Sequence, residues 1–177
     1  MPFRITSVER SAFPNGSATS DAAAAFGITI DQLCELVHDF VSQTPTRPNV
    51  GHQRVLAGEL EEHLERSLAA AGLRPVSKSV SPVLGERVDF AAGRGQAPPY
   101  LLGEIEFRPN FEKDLVKFSI AARRGILGLG VLLVAKARHE INPGYTSMPQ
   151  YDKVIRTVAE FAPSFPLVVI GLSGELR

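Results

Sequence analysis

Cysteine occurs once in the chain, at Cys34, so an internal disulfide is excluded. The lone thiol has no local partner motif and sits at a helix-like apolar position. It reads as core well before it reads as a nucleophile, and it fits a reducing compartment. An excess of one charge is also missing: Lys and Arg total 19, Asp and Glu total 19, and the formal net charge is zero. That is not the overall basic balance of a non-specific nucleic-acid binder, although a basic groove can be offset by acids elsewhere, metal ligands included. The histidines, His38, His52, His63 and His139, form no i,i+4 pair and no HExxH, and CxxC is absent, which sets zinc aside. No phosphate-binding loop, GxGxxG fingerprint or G-x-S-x-G elbow occurs; "GILGLG" has neither the lysine nor the spacing. The longest apolar run, "GILGLGVLLVA", is too short to span a bilayer and contains three glycines. The stretch "MPFRITSVERSAFPNG" lacks the basic and apolar blocks of a signal peptide. The expectation is a soluble cytoplasmic protein with no membrane partner.

What the sequence does have is a 177-residue chain, 44% hydrophobic, suited to a single domain with a sizeable core. Residues 1–50 read as an N-terminal extension of strand, loop and helix, and residues 51–177 as the core. In the extension, residues 3–8 suit a short strand, and the small-residue stretch "RSAFPNGSATSDAAAAFG" reads as a loop. Thr29 or Asp31 then caps a helix reaching about Ser42. "HQRVLAGELEEHLERSLAAAG" is an amphipathic helix stopped by Gly72, with Val55, Leu56, Leu60, Leu64 and Leu68 as its apolar stripe. At about 100° per residue, Glu59 and His63 fall within that stripe, whereas Glu61, Glu62 and Glu65 fall at its edge or outside. Beyond it, "GERVDFAA" and "YLLGEIEF" read as strands around a "GRGQAPP" turn. The rest alternates helix, buried strand, helix, buried strand. This order predicts an α/β fold with a mixed central sheet flanked by helices.

The acids in the two strands need explaining. Alternate residues of a strand share a face, so Leu102, Glu104 and Glu106 lie on one side and Ile105 and Phe107 on the other. If the preceding strand pairs as a hairpin, Asp89 approaches Glu104. Carboxylates so placed suit a hard cation such as Mg²⁺, which takes oxygen ligands, commonly one or two carboxylates with waters and substrate phosphates. A solvent-facing edge strand would carry the same spacing, so spacing alone leaves both readings open.

Three segments, "ERVDF", "EIEFRPNFEKDLVKFSIAARRGILGLGVLLVAKAR" and "YTSMPQYDKVIRTVAEFAPSFPLVVIGL", together resemble the BamHI/BglII-like type II restriction endonucleases of the PD-(D/E)xK nuclease superfamily. The order of these motifs along residues 50–176 carries the likeness. The resemblance implies a single restriction-endonuclease-like nuclease domain that hydrolyses phosphodiester bonds of double-stranded DNA at a short palindromic site. It further implies 5′-phosphate and 3′-hydroxyl ends, a homodimer, and Mg²⁺ as cofactor with Mn²⁺ able to substitute. Asp89, Glu104 and the Ile105 carbonyl would be metal ligands. Glu106, at the place of the superfamily's lysine, would be a ligand or general base, and Glu59 the helix acid that completes the site. Asn110, Arg123, Arg124, Arg138 and Asn142 would contact DNA, and Lys113 and Lys117 read as a solvated helix face or as reaching the site. The chain departs from the family with Phe107 in place of Trp and "RPN" in place of an Asn-Asn-Lys run. Two alternatives stand beside this reading: a non-catalytic DNA-binding protein on the same scaffold, and a structure-specific or repair nuclease.

Overall fold

A central strand with no polar face needs cover on both sides. β7 (Leu127–Ala135), "LGLGVLLVA", is such a strand, and in the computed structural model helices cover both of its faces. Residues 3–14, 17–43, 52–81, 85–136 and 150–176 are described. The elements run β1 (Phe3–Phe13), α1 (Ser17–Ala25), α2 (Ile30–His38), α3 (His52–Ala70), β2 (Arg74–Pro75), β3 (Ser79–Ser81), β4 (Glu86–Arg87), β5 (Phe90–Gly93), β6 (Tyr100–Glu106), α4 (Glu112–Arg123), β7, α5 (Gln150–Phe161) and β8 (Leu167–Leu176).

The main sheet has the order β1-β8-β7-β6-β5-β2, and β3 pairs separately with β4. β6, β7 and β8 are mutually parallel, while β1, β5 and β2 pair antiparallel with their neighbours. The mixed sheet flanked by helices is the α/β architecture the sequence predicts. On one face α1, α2 and α3 bury Ala23, Leu33, Val37, Leu60 and Leu64 against Leu101, Leu129, Val131 and Ile170. On the other, α4 and α5 bury Leu115, Phe118, Val154 and Val158 against Leu102, Leu132, Val134 and Val169. Each of these Leu, Val, Ile and Phe side chains, taken fully from water, contributes roughly 1.5–3 kcal/mol. No helix among the described residues is long and apolar enough to cross a membrane.

Several local expectations hold. α2 begins at Thr29, whose hydroxyl accepts from the Gln32 N–H while the Gln32 side chain accepts from Thr29 N–H, a reciprocal cap. It ends at His38, short of Ser42. Leu56, Leu60, Leu64 and Leu68 form the buried stripe of α3, but Val55 lies exposed. The N-terminal region differs more. β1 is eleven residues long and pairs along its length with β8, and "SATSDAAAA", expected as loop, is the helix α1. Residues 3–43 therefore supply an edge strand and two covering helices of the same sheet rather than an appendage to it.

One contact fixes the geometry that matters below. The Phe90 ring lies over Gly103, its directly opposed residue, and a Cβ there would fall 1.9 Å from the ring. Only glycine admits the ring at that pairing. The register that follows places Asp89 opposite Glu104.

Candidate active site

β6 enters the sheet apolar, through Leu101 and Leu102, and leaves it acidic, through Glu104 and Glu106. Leu102 packs with α4 and α5, whereas Ile105 and Phe107 pack with the opposite layer. Side-chain alternation therefore turns both glutamates toward α4. Both are buried, at 3% and 6% exposure, so the solvent-facing alternative falls.

Asp89 reaches the same place from outside the ladder. It lies between β4 and β5, rather than within a strand as the sequence suggests. Its N–H bonds the Gly103 carbonyl at 3.0 Å, and its Oδ2 accepts from the Ile105 N–H at 2.7 Å. The carboxylate thus takes the place of a ladder carbonyl where β5 has not yet begun, and is held beside Glu104.

The cations come from α4. Lys117 Nζ is 2.7 Å from Glu104 Oε1 and 3.4 Å from Asp114 Oδ1. Lys113 Nζ is 3.1 Å from Glu106 Oε2, and the Arg108 N–H donates to Glu106 Oε1 at 2.7 Å. Gln150, buried at the start of α5, donates to the Arg108 carbonyl at 2.6 Å and fastens the turn between β6 and α4. An open cavity of about 280 Å³ gathers Asp89, Glu104, Ile105, Glu106, Lys113 and Lys117, with Glu61 from α3 on its far wall.

The electrostatics follow from this crowding. Burial, then repulsion from Asp114 and Asp89, pushes the Glu104 carboxyl up to about 9, more than Lys117 takes back. Burial likewise pushes Asp114 up to about 6 against the pull of Lys117 and Lys113. Burial alone would lower the Lys117 ammonium, but Glu104 and Asp114 outweigh it and hold its pKa above the ordinary lysine value.

These residues fit a hard divalent cation. Among the described residues no three acidic, histidine or cysteine side chains converge tightly enough to form a metal cluster by themselves. Mg²⁺ needs fewer, because waters and substrate phosphates complete its shell. Asp89 and Glu104, with the Ile105 carbonyl, are oxygen donors of the right kind at one cavity.

The other expected site residues are scattered. Glu59 does not line the cavity: its carboxylate accepts from Ser42 Oγ and from the Gln43 N–H at 3.0 Å, tying the chain after α2 to α3. The α3 acid at the cavity is Glu61, which with Glu65 (2.6 Å) also holds Lys78. Asn110 is exposed in the turn before α4. Arg123 lies six residues beyond Lys117, about 9 Å farther along the helix. Arg124 donates to the Val80 carbonyl at 3.0 Å and so ties α4 to the small sheet. Arg138 and Asn142 lie outside the described residues. Sequence reasoning missed Asp114 and Gln150 altogether. Asp114 carried a signal, since it falls on the apolar stripe Phe111, Leu115, Phe118 and Ala121 of its own helix.

Comparison with solved structures finds a likeness to a crystal structure of restriction endonuclease BglII complexed with a DNA 16-mer. The TM-score is 0.50, with 12% sequence identity, over 94% of this chain and 78% of that chain. At this identity the likeness establishes the restriction-endonuclease-like fold. No family model and no curated protein matches the chain.

Proposed function

We propose that the chain is a Mg²⁺-dependent nuclease of double-stranded DNA and, at finer grain, a type II restriction endonuclease acting as a homodimer on a short palindromic site. The observation that carries this reading is the cavity at the end of β6. There Asp89, Glu104 and Glu106 meet two lysines in a sheet whose interior is otherwise apolar. The likeness in fold to an endonuclease crystallised with DNA supports it.

Asp89, Glu104 and the Ile105 carbonyl would hold Mg²⁺, with Mn²⁺ able to substitute. The bound cation supplies Lewis-acid polarisation of the phosphate and a lowered pKa for water. Glu106 accepts the proton of the attacking water, and Lys113, on its other oxygen, keeps that carboxylate oriented. Water oxygen bonds to phosphorus, the bond from phosphorus to the 3′ oxygen breaks, and solvent protonates the departing oxygen. The ends are 5′-phosphate and 3′-hydroxyl. Asn110, from its exposed turn, is placed to meet a groove, and Arg123 a backbone phosphate.

The test is incubation of mixed plasmid and phage DNA with Mg²⁺, beside Asp89→Ala, with the ends sequenced. Discrete fragments sharing one end sequence, absent with the variant, are the expected result. Random Mg²⁺-dependent nicking would move the reading to a repair-type nuclease. A non-catalytic DNA-binding protein is the second reading, favoured by the ion pairs that already neutralise Glu104 and Glu106. Folded protein that shifts DNA but leaves it intact with Mg²⁺ and Mn²⁺ would select it.

A further inference from the structure

Asp114 is the anomaly of the site. It is 1% exposed, and neither carboxylate oxygen has a hydrogen-bond partner among the described residues. A buried polar group left without a hydrogen bond costs about 1–3 kcal/mol, more if charged. Its nearest cation, Lys117, is close enough at 3.4 Å for an ion pair but lacks hydrogen-bond geometry, while the ammonium donates to Glu104 at 2.7 Å. The Lys117 side chain is itself only 14% exposed, so its charge has little water to turn to. Two buried carboxylates thus share one ammonium, and the one that loses is the one with no other partner. Glu104 would have a competing suitor in a divalent cation, and Asp114, outside the cavity wall, would not.

We infer that Lys117 is a transferable partner: it hydrogen-bonds the Glu104 carboxyl while the site is empty of metal, and passes to Asp114 when Glu104 takes a cation as a carboxylate. Asp114 is then a positioning residue. It keeps the displaced ammonium inside the site, within reach of a phosphate oxygen, instead of letting it repel the cation from Glu104. A shift of under an ångström would complete the Lys117–Asp114 hydrogen bond. This inference rests on the nuclease reading of the same cavity, and it concerns cation binding before any DNA arrives.

The experiment is calorimetric titration of the full-length protein with Ca²⁺, which binds hard oxygen sites while leaving cleavage aside, on wild type, Lys117→Met, Asp114→Asn and the double variant. Thermal unfolding without metal runs alongside. Lys117→Met removes the competitor and should tighten Ca²⁺ binding by about tenfold, or reveal binding where wild type shows none. Asp114→Asn removes the receiving carboxylate and should weaken binding by a similar factor. In the double variant there is no ammonium left to place, so affinity should return toward that of Lys117→Met. That variant strands neither the Lys117 ammonium nor the Asp114 carboxylate, though Glu104 loses its ammonium as in Lys117→Met, and the unfolding curves report whether each variant folds. Equal or weaker binding by Lys117→Met overturns the inference. So does a weakening by Asp114→Asn that persists undiminished in the double variant, since Asp114 would then act on the cation itself. Wild-type binding that is lost in Asp89→Ala but indifferent to Lys117 sinks this inference and leaves the nuclease reading standing. Absence of Ca²⁺ binding from wild type and Lys117→Met alike overturns the inference, while the nuclease reading stands or falls by the DNA cleavage assay.

Discussion

β6 and β7 are adjacent parallel strands at the same depth in the sheet, and they solve burial in opposite ways. On the face toward α4 the register sets Glu104 beside Leu132 and Glu106 beside Val134. Leu132 and Val134 are fully buried and complete the core between sheet and helices. Glu104 and Glu106, nearly as buried, need two lysines, a backbone N–H and a shared cavity to sit there. Replacing a buried ion pair by apolar side chains of like volume is often neutral or stabilising by about 1–4 kcal/mol. β7 is what β6 would be if stability were all that the strand served. The difference between them marks the proposed site.

The sharpest way to break the comparison is to change one position in each strand. Glu104→Gln should lower DNA cleavage by about 10³-fold or more, because a carboxylate that holds the cation becomes a neutral amide. Its unfolding free energy should move by less than about 2 kcal/mol, since burial already opposes the Glu104 charge and Lys117 keeps Asp114, 3.4 Å away, as an ion-pair partner. Leu132→Ala should do the reverse, costing about 2–5 kcal/mol while the folded fraction still cuts. Parallel urea unfolding and cleavage assays read both. A Glu104→Gln protein that cuts at the wild-type rate would remove Glu104 from the site.

A smaller effect separates the strands by pH. Glu104 carries a folded pKa of about 9 against an ordinary value of 4.5. Between those values the unfolded chain has released this proton while the folded protein retains it. The unfolded state binds fewer protons, so stability falls as pH rises through that window. Asp114, raised to about 6 from 3.8, acts in the same direction at the acid end. With chelator present, the melting temperature should therefore drop on the order of 10–20 °C from pH 5 to pH 9 beyond what Glu104→Gln shows. Ca²⁺ should flatten that slope, because the cation is matched to the ionised carboxylate. A wild-type profile that parallels that of Glu104→Gln throughout would show that Glu104 titrates normally.

The same contrast explains what the sequence made legible. "EIE" at the end of an apolar strand announces itself because nothing else justifies two acids at period two beside Leu102, and the hairpin with "VDF" brings in Asp89. The α/β order of the second half follows from the long apolar runs of β7 and β8 and from the glycine stops at Gly72 and Gly125, both at positive φ. α4 was harder. In "EKDLVKF" the lysines look like any solvated face, and only the three-dimensional approach of the helix to β6 turns Lys117 inward. α1 was illegible for another reason: it packs through Thr19 and Ala23, residues too small to mark an apolar stripe. Beyond Ile5, β1 alternates only weakly, because it is an edge strand with few buried positions.

Glu59 gives the mildest test, and it applies the same substitution to an acid of the other sheet face. Helical periodicity places Glu59 on the apolar arc of α3, and that much is right, for it is half-buried. What periodicity cannot supply is the partner. The carboxylate meets Ser42 and Gln43, in the segment that docks on β1 through the Ser42 N–H and Phe3 carbonyl at 2.8 Å, while Ala57, Gly58 and Glu61 face the cavity. Its hydrogen bonds are local fastenings of the N-terminal region, each contributing about 0.5–1.5 kcal/mol, or up to about 3 where the acceptor is charged. Glu59→Gln should thus lower stability by about 1–2 kcal/mol and leave cleavage within about threefold of wild type. Glu104→Gln, the identical chemical change, should leave stability nearly alone and remove cleavage. A hundredfold loss of cleavage in folded Glu59→Gln protein would return this acid to the site and show that α3 presents a different face to the cation than it does here.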